Sequence, residues 1–252
     1  MTFAVIDDEG KTAKAIAGTP FTDPEYTGKE HALDDVRLLA PTLPSKVVAV
    51  GRNYADHVAE VFKQSSEHLP PTIFIKPSTA VVGPGAAIKI PEFATGVEFE
   101  GELALVVGVP CKNVKAADWK SVIRGVTIIN DVSSRDLQFA DGQWARAKGM
   151  DTFSPIGPWI ETDLEKFDFA NLPIKAHHTH NGVTETKQDS NSNQMIKSVG
   201  EMVEWVSESF TLLPGDVIAT GSPAGTAEMV PGDYIEVEIP GIGKLGNPVE
   251  RA

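Results

Sequence analysis

Val97-Glu98-Phe99-Glu100-Gly101-Glu102-Leu103-Ala104-Leu105-Val106-Val107 is the stretch on which the reading of this chain turns. Acidic and apolar side chains alternate through its first half, which is a strand signal because successive strand residues point to opposite faces. The pattern predicts one continuous strand with Val97, Phe99, Leu103, Leu105 and Val107 on one face and Glu98, Glu100 and Glu102 on the other. Neighbouring same-face Cα atoms then stand ~7 Å apart, at ~3.3 Å of rise per residue. Three carboxylates in such a row repel, and burying them uncompensated is costly. A divalent cation would resolve the conflict, since hard cations such as Mg²⁺ take oxygen ligands. A solvent-facing stripe on an edge strand would resolve it too.

Working outward, short apolar runs separated by Gly and Pro indicate a strand-rich protein with many turns. Residues 3–6, 13–17, 46–50, 72–75, 86–90, 126–129, 174–180, 183–187, 217–220, 234–239 and 244–249 read as strands. Asn181-Gly182 is a strong hairpin signal. Helices are expected near residues 116–123 and over 193–210, where Ile196, Val199, Met202, Val203, Val206 and Phe210 share a face and residues 191–193 could cap it. The result is an α+β chain that is mainly β, without the βαβ rhythm of a doubly wound sheet. Residues 1–45 are expected to form a small N-terminal β subdomain and residues 46–252 the main body.

Composition narrows the function. The 252 residues suffice for a sizeable core. A net charge of −13 without a Lys/Arg cluster argues against nucleic acid and anionic membranes as partners. No run approaches the ~18 apolar residues of a membrane span. The N-terminus turns acidic after six residues, unlike a signal peptide. Cys111 is the only cysteine, which excludes an internal disulfide and fits a reducing cytoplasm, the expected location.

Further candidates have to be weighed against ordinary structural roles. Asp131 ends an apolar β-run, where turn formation is the commoner use of Asp. His57 and Glu60 have a spacing that puts both on one face of a helical turn. A carboxylate beside an imidazole orients a general base, although an exposed helical pair has the same spacing. The following residues, 61–69, are polar and could form a lid. Lys148 by itself carries no signal. His177, His178 and His180 cluster at the hairpin tip, where His178 and His180 should share an exposed face without a third ligand, a weak zinc site. Ser222 lies in Thr220-Gly221-Ser222-Pro223-Ala224-Gly225, which is neither a nucleophile elbow nor a P-loop, but whose N–H groups could serve a carboxylate.

Several stretches together resemble the fumarylacetoacetate hydrolase family, in its short-chain branch. They are Gly51-Arg52-Asn53-Tyr54-Ala55-Asp56-His57, Phe74-Ile75-Lys76-Pro77-Ser78-Thr79-Ala80, Glu100-Gly101-Glu102-Leu103 and Asn130-Asp131-Val132-Ser133-Ser134-Arg135-Asp136-Leu137-Gln138. Lys148 and Gly215-Asp216-Val217-Ile218-Ala219-Thr220-Gly221 extend the likeness, in unbroken order, over about residues 45 to 250. The resemblance implies a mixed β-roll, a homodimer, and Mg²⁺ or Mn²⁺ on Glu100, Glu102 and Asp131. Glu98 stands where relatives often carry another acid and is not expected to be a ligand. His57 and Glu60 fall on the family's dyad, Lys148 on its active-site lysine, and Lys76, Arg135, Gln138 and Thr220 on its substrate contacts. The loop after Thr220 departs from the pattern Thr-Gly-Thr-Pro-x-Gly-Val-Gly, which leaves contacts there open.

The implied chemistry is C–C cleavage in a 2-oxo (1,3-dicarbonyl) acid through a pyruvate enolate stabilised by the metal. Loss of CO₂ would be oxaloacetate decarboxylation; attack of water activated by His57 and Glu60 would be acylpyruvate hydrolysis. An isomerase or decarboxylase of aromatic catabolism, of the 2-hydroxyhepta-2,4-diene-1,7-dioate type, is the alternative within the family. A metal-binding β-protein without catalysis is the alternative outside it.

Overall fold

The linker 77–80 explains the shape of the main sheet. Thr72–Lys76 forms one edge of a seven-stranded sheet and Val81–Val82 forms the other. The chain from Lys76 to Val81 can span at most ~18 Å, whereas seven flat strands would set their edges ~29 Å apart. The sheet therefore curls until its edges approach, as a β-roll. Between those edges the order is Val47–Gly51, Val217–Ala219, Gly101–Val107, Ile123–Asn130 and Ser154–Glu161. Val217–Ala219 runs parallel to Val47–Gly51 and antiparallel to Gly101–Val107, which is antiparallel to Ile123–Asn130. The computed structural model describes residues 1–7 and 9–252.

A second sheet of five strands has the order Val183–Asn191, Pro173–His180, Tyr234–Ile239, Gly243–Arg251 and Ile88–Ile90. Its inward residues Ile174, Ala176, Ile235, Val237 and Leu245 join Leu103, Leu105, Val126 and Ile128 of the roll in one core. The roll's other face buries Val47, Ala49, Ala104, Val106, Ile129 and Ile156. Phe3–Ile6, Thr12–Ala17 and Glu25–Ala32 form a three-stranded antiparallel sheet at the N-terminus. Among the described residues the α-helices are α1 (Ala55–Phe62), α2 (Arg135–Asp141), α3 (Ala145–Lys148) and α4 (Val199–Ser209).

Most expected strands form, and Asn181 and Gly182 both have positive φ (51° and 79°), as a two-residue hairpin turn requires. The acidic row, however, is not one strand. Val97–Glu98 pairs with Ser133–Ser134, and a new strand starts at Gly101. Side chains take over at the break: Glu100 N–H donates to Asn130 Oδ1 (2.9 Å) and Gly101 N–H to Gln188 Oε1 (2.8 Å). Gly101–Val107 is then buried on both faces, so alternation ceases to mark an inside and an outside. Strands also form where none is expected, among them Glu25–Ala32 and Ser154–Glu161, and two expected helices need correction. Residues 25–32 are exposed throughout and have no apolar face. The helix near 116–123 is a 3₁₀ turn, Ala116–Ser121. The helix expected over 193–210 begins only at Val199, because Ser198 and Glu201 form a reciprocal capping box there; Asn191 caps a separate 3₁₀ turn.

Candidate active site

Strand register assembles the acidic cluster. Asn130 lies opposite Gly101, so Asp131, one residue beyond its strand, comes beside Glu100, one residue before the neighbouring strand. Asp131 N–H donates to the carbonyl of Glu100 (2.8 Å), which locks the two strand ends together. Glu100, Glu102 and Asp131 are 4%, 2% and 1% exposed. One carboxylate oxygen from each lies within 4.8 Å of the others.

Two ammonium groups reach this cluster. Lys148, at the end of α3, donates to Glu100 Oε2 (2.8 Å), Asp131 Oδ2 (2.8 Å) and Ser133 Oγ (2.6 Å). Lys76 is fully buried and donates to Asp131 Oδ1, to the carbonyl of Phe153 (2.7 Å) and to that of Val132 (3.4 Å). The resemblance makes it a substrate contact, yet all three of these acceptors belong to the protein. Arg135, on α2, is aimed by Glu98: its Nε donates to Glu98 Oε2 (2.7 Å) and Nη1 to Gln138 Oε1 (2.9 Å), while Nη2 lies 2.6 Å from Glu100 Oε1. Glu98 also accepts from Thr226 Oγ1 (2.8 Å).

The two glutamates of the cluster are electrostatically unlike. Burial pushes the Glu100 carboxyl up, but Lys148, Arg135 and His57 outweigh it and hold the pKa well below the usual range. Burial raises Glu102, and the charges of Asp131 and Glu100 raise it further, to well above that range. Its hydrogen bond comes from Gly221 N–H (2.8 Å), and among the described residues no ion pair reaches it. Three convergent hard oxygen donors, one of them short of positive charge, suit a divalent cation.

His57 sits on α1 with Nε2 3.4 Å from Glu100 Oε1 and Nδ1 3.7 Å from Glu60 Oε2. The dyad is thus assembled on one helical face, but at 3.7 Å the carboxylate is an ionic neighbour and Nδ1 has no hydrogen bond. Burial disfavours the imidazolium, yet Glu100 and Glu60 prevail and the pKa is raised. Glu60 is held from the far side by Gly225 N–H (3.1 and 3.0 Å to its two oxygens). The glycine-rich loop therefore does serve carboxylates through backbone N–H groups, and they are the protein's own. Thr220 Oγ1 donates to the carbonyl of Leu103 (2.9 Å), which fastens that loop to the acidic strand.

His57, Glu100, Glu102, Gln138 and Lys148 line one narrow cleft whose free volume is about 10 Å³, room for about one water. Arg52, Phe62, Trp144 and Ser222 line it as well, and sequence reasoning does not assign them. Arg52 stands in one of the motifs that carry the resemblance, but nothing in local sequence says which way its side chain turns. The histidine cluster also differs from expectation. His178 is buried, and Asp233, from a Pro-Gly-Asp turn, stands between His178 Nε2 (2.8 Å) and His180 Nδ1 (2.7 Å) as a third group that the local sequence does not offer. Asp233 also accepts Val230 N–H (2.9 Å), so the trio is already hydrogen-bonded within itself.

Residues 46–250 match the family model described as fumarylacetoacetate (FAA) hydrolase C-terminal, and residues 1–41 match Rv2993c-like, N-terminal. Protein Rv2993c of Mycobacterium tuberculosis is 51% identical over 256 residues, covering 100% of this chain and 94% of that one. The mitochondrial oxaloacetate tautomerase Fahd2a of Rattus norvegicus is 39% identical over 223 residues, 85% of this chain and 69% of its own length. A crystal structure of Cg1458 with inhibitor superposes with a TM-score of 0.95 at 74% identity, covering 96% of this chain and 90% of that one. Maleylpyruvate hydrolase from Sphingobium sp. SYK-6, solved with manganese(II) and pyruvate, gives 0.75 at 30% identity, with 89% and 77% covered. The chain belongs to the fumarylacetoacetate hydrolase family.

Proposed function

We propose that this protein is a divalent-metal-dependent enzyme that converts a 2-oxo (1,3-dicarbonyl) acid to its enolate, with Mg²⁺ or Mn²⁺ held by Glu100, Glu102 and Asp131. The observation that carries this reading is Glu102: a carboxyl whose pKa is raised by burial and by the charges of Asp131 and Glu100, within 4.8 Å of both, in a cleft that also holds His57 and Lys148. When bound, the cation supplies Lewis acidity toward the 2-oxo group and offsets the negative charge that develops there. Lys148 adds a fixed positive charge in the same place. Arg135, oriented by Glu98, and Gln138 bind the carboxylate next to the oxo group. Lys76 holds Asp131 in position, and Thr220 sets the loop that presents Gly221 to Glu102. His57, placed by Glu60, moves the proton at C3 of the substrate or takes one from an attacking water.

The substituent at C3 decides the outcome. Departure of CO₂ gives oxaloacetate decarboxylation, and departure of an acyl group to water gives acylpyruvate hydrolysis. A second reading, enol–keto exchange of oxaloacetate, is favoured by the activity named for the rat relative. The test follows pyruvate release from oxaloacetate and acetylpyruvate, together with enol–keto exchange of oxaloacetate, with and without EDTA. Activity lost to EDTA and restored by Mg²⁺ or Mn²⁺ is expected; equal rates in both conditions would remove the metal from the reaction.

A further inference from the structure

One cation in the cleft has no counter-charge among the described residues. Lys76, Lys148 and Arg135 are each paired with the protein's own carboxylates. Arg52 is not: among the described residues no carboxylate pairs with it, and its Nε is buried without a hydrogen bond. It follows the strand Val47–Gly51 at φ 60°, a left-handed conformation uncommon for a long side chain. This turn sets the guanidinium against the rings of Trp144 and Phe62, 5.5 and 6.0 Å from their centroids. Trp144 in turn packs onto Gly51, where a Cβ would stand 2.4 Å from its ring. Aromatic faces attract the charge but use none of its five N–H donors. A pre-positioned guanidinium with free donors, on the wall of a small cleft, is built for bidentate pairing with a carboxylate.

We propose that Arg52 anchors the second carboxylate of a short 2-oxo dicarboxylic acid and selects such diacids over substrates with a neutral acyl end. The inference rests on the function proposed above and deepens it. It also bears on what happens to the diacid. In decarboxylation the C3–C4 bond breaks, its electron pair passes into the enolate, and C4 leaves as uncharged CO₂. In enol–keto exchange the C3–H bond breaks, its electron pair passes into the enolate, the proton passes to His57 Nε2 and a proton is returned to the 2-oxygen, and the C4 carboxylate keeps its charge. A guanidinium gripping that carboxylate loses its partner only along the first path, so Arg52 biases the enzyme toward exchange and against CO₂ loss.

The test compares wild type, Arg52→Gln and Arg52→Lys, all loaded with Mg²⁺. It reads the KM for oxaloacetate exchange and the ratio of pyruvate formed to exchange turnover. It also reads calorimetric Kd values for oxalate, which lacks the far end, and for 2-oxobutanoate, which has a methyl group there. Arg52→Gln should raise the KM for oxaloacetate ~10–100-fold, as for loss of a charge-assisted pair. It should leave both Kd values within about twofold and raise the pyruvate ratio, while Arg52→Lys recovers part of the KM. Equal weakening of all three ligands would make Arg52 a structural prop of the aromatic wall, and an unchanged KM and ratio would remove it from the substrate; either result overturns the proposal alone. A wild type that binds no oxalate and turns over no 2-oxo acid overturns the proposed function and this inference with it.

Discussion

Glu100 and Glu102 stand two residues apart and are shifted in opposite directions, because the lysine, arginine and histidine of the site all approach the first and leave the second beside two negative charges. Metal binding and stability should therefore oppose each other at Glu102. Glu102→Gln keeps the shape and still accepts Gly221 N–H, but removes the cost of either burying that charge or protonating it. Without metal this variant should melt a few degrees above wild type, at roughly 2–4 °C per kcal/mol for a chain of this size. Mg²⁺ should stabilise wild type, by about 2.7 kcal/mol at a hundredfold excess over Kd, and leave the variant unmoved. Calorimetric scans in EDTA and in Mg²⁺ check both halves, and a variant still stabilised by Mg²⁺ would show that Glu102 is no ligand. At His57 the expectation is kinetic: His57→Ala should lower kcat ~10²–10⁴-fold in exchange or acylpyruvate cleavage while melting near wild type. Unchanged turnover would take the imidazole out of the reaction.

Elements position these groups through their ends. Glu60 is steered not from its own helix but by Gly225, at φ 99°, where a Cβ would lie 2.0 Å from the carbonyl of Lys187. Gly225→Ala must move the loop, withdraw the N–H from Glu60 and loosen the dyad. Its activity should fall at least about tenfold, to the level of Glu60→Gln, with a stability cost on the order of 1–3 kcal/mol. Activity equal to wild type would show that the loop does not position Glu60. Helix α4 offers the contrast. Ser198→Ala removes one half of the capping box and should cost about 1 kcal/mol in chemical denaturation without changing kinetics. A capping residue that does not line the cleft and a glycine that holds Glu60 thus separate stability from function.

Across the whole molecule, buried Asp216 ties the start of the roll to its middle. It accepts from Ser45 N–H (3.1 Å), Ser45 Oγ (2.6 Å), Lys46 N–H (3.2 Å), Lys46 Nζ (2.5 Å) and Leu213 N–H (2.9 Å). Burial works against its charge, but Lys46, Ser45 and the Leu213 N–H prevail and hold the pKa below the ordinary value. A depressed folded pKa gives stability that is present above the unfolded value, about 3.9, and is lost as pH falls through the folded one. Asp216→Asn should therefore cost about 3 kcal/mol near neutral pH, as for a buried ion pair missing one partner. The gap from wild type should close below about pH 4. Denaturant melts across that range check it, and a gap that persists at low pH would contradict the assignment.

Much of this architecture is legible in the chain alone. Alternation and turn residues are local, so the strands around Asn181-Gly182 and those that follow Pro214-Gly215-Asp216 and Pro231-Gly232-Asp233 can be read directly, as can the helical face shared by His57 and Glu60. Collinear motifs also identify Glu100, Glu102, Asp131 and Lys148 as a group. Local pattern fails where burial or pairing comes from distant chain: the strand break at Glu100 depends on Asn130 and Gln188, and the histidine cluster depends on Asp233. The sequence by itself determined which side chains are candidates for chemistry, because residue type and spacing are properties of the chain. Only the tertiary structure decided which carboxylate is left without a cation among the described residues, which glycine holds Glu60, and that Arg52 faces the cleft unpaired among them. Those depend on distances between segments that are remote along the chain, and electrostatic energy is set by distance and burial rather than by order.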